Sequence, residues 1–315
     1  MNWTGVRFYL LLILTMIFWG GSWVSAQIVV MVAPPFTVGF FRFLTASLIF
    51  WPLLLSTKRK SVMAYSSRDL SLFFVLGAIG VFGYGILFLI GMQFTTAAQG
   101  SIIAGINPVT VSLLAFLILH ERLVPRWRYV GFLFSFLGIV CVVGVQAFLD
   151  FQFEYLIGNL ILIFAMFTWG SYSIFGKALM KKHSSFETTA IGIFFGTLIF
   201  FFGAVFEQFW TLPVMSDPTF WFNILYMGIF VTVLGFLCYF LGIKNIGASK
   251  SAVFISLVPV FGTLFSFLLL HEPIYPTFII GLVFVILGIL FINYPQALPS
   301  NRSEKNTKSD TDTNE

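Results

Sequence analysis

The sequence predicts an all-α membrane protein of ten transmembrane helices, arranged as two inverted five-helix repeats. Three observations predict it. Only 9% of the 315 residues are charged while 59% are hydrophobic, with 42 phenylalanines, against roughly 25% charge in a soluble domain. The few charges delimit long uncharged runs at 8–41, 43–57, 70–120, 129–149, 155–176, 188–206, 218–243, 251–271 and 273–301. The second half of the chain also repeats the apolar frame of the first. Twelve acids and 17 bases cannot cover a water-facing surface of this size, and unbroken apolar runs suit helices rather than the short alternating strands of a barrel.

A helix rising about 1.5 Å per residue needs roughly 20 apolar residues to cross about 30 Å of hydrocarbon. Runs 8–41 and 70–120 each hold two spans, separated at Ala33-Pro34-Pro35 and near Gln93 to Gln99. Spans 1 to 5 fall at 8–32, 36–55, 70–92, 97–119 and 128–148. Spans 6 to 10 fall at 155–178, 186–206, 219–242, 249–270 and 275–294. Arg7, an apolar stretch and Val24-Ser25-Ala26 also fit a secretory signal. Against that reading, the apolar run continues past the supposed cut and span 1 has a counterpart in the second half. Residues 1–149 make the first repeat and 150–294 the second; 295–315, polar and without apolar period, is expected to be a disordered cytoplasmic tail.

Lysine and arginine set the expected orientation. With the N-terminus inside, sixteen of the seventeen bases fall on cytoplasmic loops, from Arg7 through Lys58, Arg122, Lys177 and Lys244 to Lys308. The outer loops carry Asp150, Glu154, Glu207, Asp217 and Glu272 and no base. The formal charge of +5 is therefore topology and no nucleic-acid surface is implied. Both termini are expected in the cytoplasm and the protein in the cell inner membrane. Cys141 and Cys238 lie in apolar runs, so neither a disulfide framework nor a zinc site is implied.

At an offset of 151, Gly91, Ala97, Pro108, Val109, His120-Glu121 and Pro125 match Gly242, Ala248, Pro259, Val260, His271-Glu272 and Pro276. At 150, Trp19-Gly20 matches Trp169-Gly170 and Leu48-Ile49-Phe50 matches Leu198-Ile199-Phe200. Five spans per repeat is an odd number, so equivalent spans run in opposite directions. Charge agrees: Gln93 and Gln99 become Lys244 and Lys250, while Arg122, Arg126 and Arg128 become Pro273, Thr277 and Ile279. Inverted repeats are a feature of secondary transporters that open one central site to either side.

Phe18-Trp19-Gly20-Gly21-Ser22, Arg42-Phe43-Leu44-Thr45-Ala46, Asn107-Pro108, His120-Glu121, Trp169-Gly170, Pro259 and His271-Glu272 occur in this order over residues 1–294. So do Gly131 and Gly138, repeated as Gly281 and Gly288. In these motifs the chain resembles the EamA-type exporters of the drug/metabolite transporter superfamily. The resemblance implies a central cavity lined by spans 1–4 and 6–9, with 5 and 10 peripheral, and export of amino acids and related metabolites. Gly192 stands where Arg42 would repeat, so any arginine site is single.

No Asp or Glu falls within an apolar core, and no metalloprotease spacing, paired intramembrane aspartates or nucleophile–base pair occurs. No catalytic residue, metal or cofactor is expected. Arg42 has two readings: a guanidinium holding a substrate carboxylate, or one that snorkels outward from about 9 Å depth. Trp19, Ser22 and Trp23 in span 1, and Trp169, Tyr172 and Ser173 in span 6, are mid-span residues that suggest a cavity wall or packing aromatics. Asn107 beside Pro108 and Ser256 before Pro259 mark places where a proline frees a carbonyl, for a binding site or a kink. Tyr84 and Tyr239 complete the expected substrate-binding set. The His-Glu pairs are read as structural, with gating or proton coupling as the alternative. Gly77, Gly80, Gly83 and Gly85 are read as close packing or a hinge.

The expected partners are a small-molecule substrate and the lipid bilayer. The first function is export of amino acids or small amphipathic metabolites by alternating access. The alternatives are a nucleotide-sugar or sugar-phosphate carrier, which would want more bases in the cavity, and a non-transport membrane scaffold.

Overall fold

A computed structural model describes residues 3–62, 65–119, 127–141, 153–180, 182–247, 251 and 254–293. Every regular element among them is helical, the arrangement in which each segment satisfies its own backbone groups in lipid. Seven helices are long and apolar enough to span a membrane, and three shorter apolar helices bring the total among the described residues to ten. They are α1 (Trp3–Val30), α2 (Pro35–Val62), α3 (Ser67–Gln93), α4 (Ala97–Ala104 and Asn107–Leu119) and α5 (Trp127–Ile139). Then come α6 (Phe153–Leu179), α7 (Ser185–Phe206), α8 (Pro218–Ile246), α9 (Leu257–Leu270) and α10 (Pro276–Asn293). The His120-Glu121 pair, Arg122, Arg126, Lys250 and the 295–315 tail lie outside the described residues.

Local chemistry fixes the helix starts. Pro35 opens α2, where its missing N–H would have had no helical partner in any case. Ser66 with Asp69 and Ser184 with Glu187 form capping boxes at the starts of α3 and α7. These acids, expected only as helix-end charges, thus have a structural task. Asp69 also accepts from Lys182 Nζ at 2.9 and 2.7 Å, tying the start of α3 to the α6–α7 turn. On the other face, Glu207 accepts from the Phe36 and Thr37 amides at 3.1 and 2.7 Å. Glu272 there accepts from the Ala97 and Ala98 amides at 2.9 and 3.0 Å. His271 takes a left-handed φ of 54° at the end of α9, and Glu272 next to it also accepts from the Ser266 hydroxyl. Two second-half carboxylates therefore cap two first-half helices, where the helix dipole favours negative charge.

The two halves pack by reciprocal contacts. A methyl on Gly91 would stand 2.8 Å from Leu162, and one on Gly242 would stand 2.6 Å from Leu12. Gly138 lies against Gly281 and Val285, while Gly288 lies against Gly131 and Ser135, each residue exchanged for its mate 150 positions away. Ser47 Oγ and Thr197 Oγ1, themselves 150 apart, share a hydrogen bond of 2.9 Å. Residues that meet their own repeat mates lie on a local two-fold line, as in an isologous interface. The glycine contacts leave no room for a Cβ without movement, which favours close packing for Gly77, Gly80 and Gly85.

Departures from regular helix cluster at mid-span. Lacking the N–H of Pro108 and Pro259, α4 turns tightly at Gly105–Ile106 and α9 begins after a turn at Ile255–Ser256. The α3 and α8 helices carry π-helical segments at Gly77–Gly83 and Tyr226–Leu234, a feature frequent at functional sites and not foreseen from the sequence.

Candidate central cavity

The mid-span irregularities surround a cavity of about 590 Å³. Its lining comes from α1–α4 and α6–α9 together with the turns beside α6 and α9. Among the described residues none of α5 or α10 contributes, and those two helices pack on each other at the margin. Trp19, Ser22, Trp23, Arg42, Tyr84, Asn107, Trp169, Tyr172, Ser173 and Tyr239 all line it. Ser256 does not. The mate of Asn107 at an offset of 151 is Val258, which lines the cavity with Ile255, three residues earlier on the same helical face.

Several lining residues missed in the sequence are repeat mates of one another. Phe43 and Ile193, Gly80 and Val231, Val81 and Thr232, and Ala104 and Ile255 are repeat mates that all face the cavity. Of the named site residues, carrying Asn107 across the offset finds Val258, while the mates of Arg42, Tyr84, Tyr239 and Ser256 do not line the cavity. Thr189 and Phe236 have no lining mate and carried no such signal.

Arg42 is only 8% exposed, so its guanidinium does not reach out to the membrane surface. It lies over the rings of Phe43 and Phe88, 4.9 and 5.7 Å from their centroids. Its Nε has no hydrogen-bond partner among the described residues, and Arg42 is the only charged side chain among the described lining residues. Glycine places it there. A methyl on Gly228 of α8 would stand 3.0 Å from the Arg42 carbonyl oxygen and 2.7 Å from Thr45, so the crossing of α2 and α8 needs glycine at that point.

Aromatic rings form most of the remaining wall. Trp19 contacts Tyr239 and Phe236 at 5.3 and 5.9 Å and donates its indole N–H to the Val231 carbonyl at 3.1 Å. Trp23 meets Phe88 edge-on at 4.9 Å. Trp169 contacts Tyr84, Tyr172 and Phe236 at 5.0, 5.4 and 6.1 Å. The Ser22 and Ser173 hydroxyls donate back to the Trp19 and Trp169 carbonyls at 2.6 and 2.9 Å, so they offer the cavity acceptor lone pairs only. Asn107 Oδ1 is buried without a partner among the described residues. The arrangement suits an amphipathic solute: flat apolar surface over most of the wall and one cation aimed inward.

Comparison with known proteins gives a consistent result. The EamA-like transporter family model matches twice, at residues 6–144 and 156–294. The "Uncharacterized transporter YyaM" of Bacillus subtilis is 30% identical over 291 residues, 90% of this chain and 93% of that protein. An "Uncharacterized transporter" of Archaeoglobus fulgidus is 30% identical over 287 residues, 89% of this chain and 95% of its own. The "WAT1-related protein At4g30420" of Arabidopsis thaliana is 28% identical over 285 residues, 80% of this chain and 75% of its own. A solved structure described as "Crystal structure of protein" superposes with a TM-score of 0.63 at 17% identity, over 91% of this chain and 96% of that one, which speaks to the fold alone.

Proposed function

This chain belongs to the EamA-like transporter family, and from that premise we propose that it exports amino acids or related small amphipathic metabolites across the cytoplasmic membrane by alternating access. It is a multi-pass membrane transporter, and its relatives are named as transporters rather than enzymes. The observation that carries the substrate reading is Arg42, a buried cation in the cavity with no carboxylate beside it. A substrate carboxylate there gains charge-assisted hydrogen bonds in a low-dielectric space, while the aromatic walls take its apolar part. Phosphorylated sugars would call for more positive charge than one guanidinium.

The two halves act as inverted repeats that rock about the site. Both termini are cytoplasmic in this reading. The cavity reaches Met180, Ser185 and Ile243, each within three residues of Lys177, Lys182 or Lys244, and in this reading that base-rich end is the cytoplasmic opening. Val29, Val30, Met92, Val214 and Phe220 belong to one buried apolar cluster, which this reading takes as the closed outer end.

The test is counterflow in proteoliposomes across a panel of amino acids, other organic acids and a nucleotide sugar, with and without a proton gradient. Accumulation of a carboxylate-bearing amphipathic solute is expected. Accumulation of the nucleotide sugar alone would replace this reading with the carrier alternative. Cysteines at 58–60 and 122–128 are expected to react from one and the same side; reaction from opposite sides would overturn the topology.

A further inference from the structure

The polar groups of the cavity divide unevenly between donors and acceptors. Three donors share one stretch of wall and are joined through ring contacts. The Arg42 guanidinium lies over Phe88, Tyr84 stacks on Phe88 at 5.9 Å, and Trp169 packs on Tyr84 at 5.0 Å. Among the described residues the buried Arg42 Nε has no hydrogen-bond partner, and Tyr84 and Trp169, whose hydroxyl and indole N–H are donors, line the cavity with it. Trp19, the repeat mate of Trp169, is different: its N–H is already held by the Val231 carbonyl in the π-helical segment of α8. Nothing in the lining supplies a compensating negative charge, because it contains neither Asp nor Glu.

We propose that the Arg42–Tyr84–Trp169 wall selects organic anions, solutes with a carboxylate and no ammonium group, over zwitterions and cations of the same shape. This inference rests on the transporter reading above and departs from it at one point: it places organic acids ahead of the zwitterionic amino acids as substrates. A carboxylate has lone pairs enough to accept from all three donors, and hydrogen bonds to a charged acceptor are the strong ones. An ammonium carried on the same solute finds no anionic partner, loses its hydration and is repelled by the guanidinium at low dielectric. Neutral acceptors alone remain to receive it: Asn107 Oδ1, the serine, threonine and tyrosine hydroxyl oxygens and the aromatic faces. Tyr84 and Trp169 become specificity residues: their donors meet an anionic acceptor with charge-assisted bonds, whereas an ammonium finds there only a neutral oxygen and ring faces.

The inference is tested by direct binding to the purified full-length protein in nanodiscs, using titration calorimetry with four compounds that share a phenyl ring. They are 3-phenylpropionate, phenylalanine, 3-phenylpropanamide and 2-phenylethylamine. The propionate is expected to bind about tenfold or more tightly than phenylalanine, with the amide and amine weaker still. Arg42→Gln is expected to erase the preference for the anion. Tyr84→Phe and Trp169→Phe are each expected to weaken the propionate about fivefold and the amide, whose carbonyl accepts only a neutral bond, by less. Melting temperatures near wild type show that the variants fold, and Arg42→Lys is expected to keep part of the preference as a point charge without the planar fork. Phenylalanine binding as tightly as the propionate, or an unchanged order in Arg42→Gln, overturns the proposal. So does failure of all four to bind. The transporter reading is decided separately by the proteoliposome panel, because transport of zwitterions with no anion preference would sink only the selectivity.

Discussion

Position 42 in the first half and position 192 in the second occupy equivalent helix crossings with opposite chemistry. Gly228 of α8 lies against the Arg42 carbonyl, and Gly77 of α3 lies against the Gly192 carbonyl. The two glycines are 151 residues apart and the two carbonyls 150. One crossing projects a guanidinium into the cavity and the other projects nothing. The tryptophans repeat the lesson, since Trp19 donates to Val231 while Trp169 packs on Tyr84 and Tyr172. Backbone contacts are shared between the halves because both must pack alike. Side chains that meet the solute are under no such demand, so a repeated frame can hold a one-sided site.

The largest expected effect separates those two positions. Arg42→Gln should weaken binding of a carboxylate solute by roughly ten- to a hundredfold in calorimetry, the loss of a charged hydrogen-bond partner. Gly192→Ala should change neither binding nor melting, because a methyl there meets nothing nearer than the Gly77 Cα at 4.0 Å. A binding loss in Gly192→Ala would show that the second crossing also shapes the site.

Next come the glycines that hold the crossings. A Cβ on Gly77 would stand 2.5 Å from the Gly192 carbonyl oxygen, and one on Gly228 would stand 2.7 Å from Thr45. Gly77→Ala and Gly228→Ala should each cost about 1–3 kcal/mol by overpacking, seen as similar drops in melting temperature. A large drop in only one would break the equivalence of the halves.

Smaller still is the pair on the local two-fold line. Ser47→Ala and Thr197→Ala should each cost about 1 kcal/mol, and the double variant little more than either alone, because both remove the same hydrogen bond. Full additivity would mean that the two hydroxyls do not interact.

The acids should matter least to transport. Glu187→Gln and Glu272→Gln weaken helix caps, at about 0.5–1 kcal/mol of stability each. The response to a proton gradient in proteoliposomes should survive both changes, since neither residue lines the cavity. Abolition of that response with exchange intact would identify the changed acid as the coupling site.

Much of this architecture was legible in the sequence, and the reasons differ by feature. The spans were readable because hydrocarbon demands length and excludes charge, which leaves a one-dimensional record. Most cavity aromatics were readable because Trp19 and Trp169 combine mid-span depth with the repeat offset. Ser256, singled out as a polar side chain near Pro259, is not in the cavity lining, whereas register points to Val258, which is. The fate of Arg42 could not be read, since snorkelling and inward burial differ by side-chain direction alone; its cover by Phe88 comes from another helix. The π-helical segments were hidden for a similar reason. Their glycines fit tight α-helical packing equally well, and only contacts such as Gly80 against the Tyr172 ring show where the turn is widened. Glu207 and Glu272 cap helices more than 160 residues away along the chain, and no local pattern announces such a partner.

The central claim is that solute crosses through one cavity in contact with Arg42. Counterflow of the best-bound carboxylate solute in proteoliposomes, wild type beside Arg42→Gln at matched melting temperature, tests it most directly. The account predicts accumulation in the wild type and a loss of roughly tenfold or more in the variant at low solute concentration. Equal accumulation by both proteins would contradict it, because the solute would then pass without using the cavity's only charge among the described lining residues.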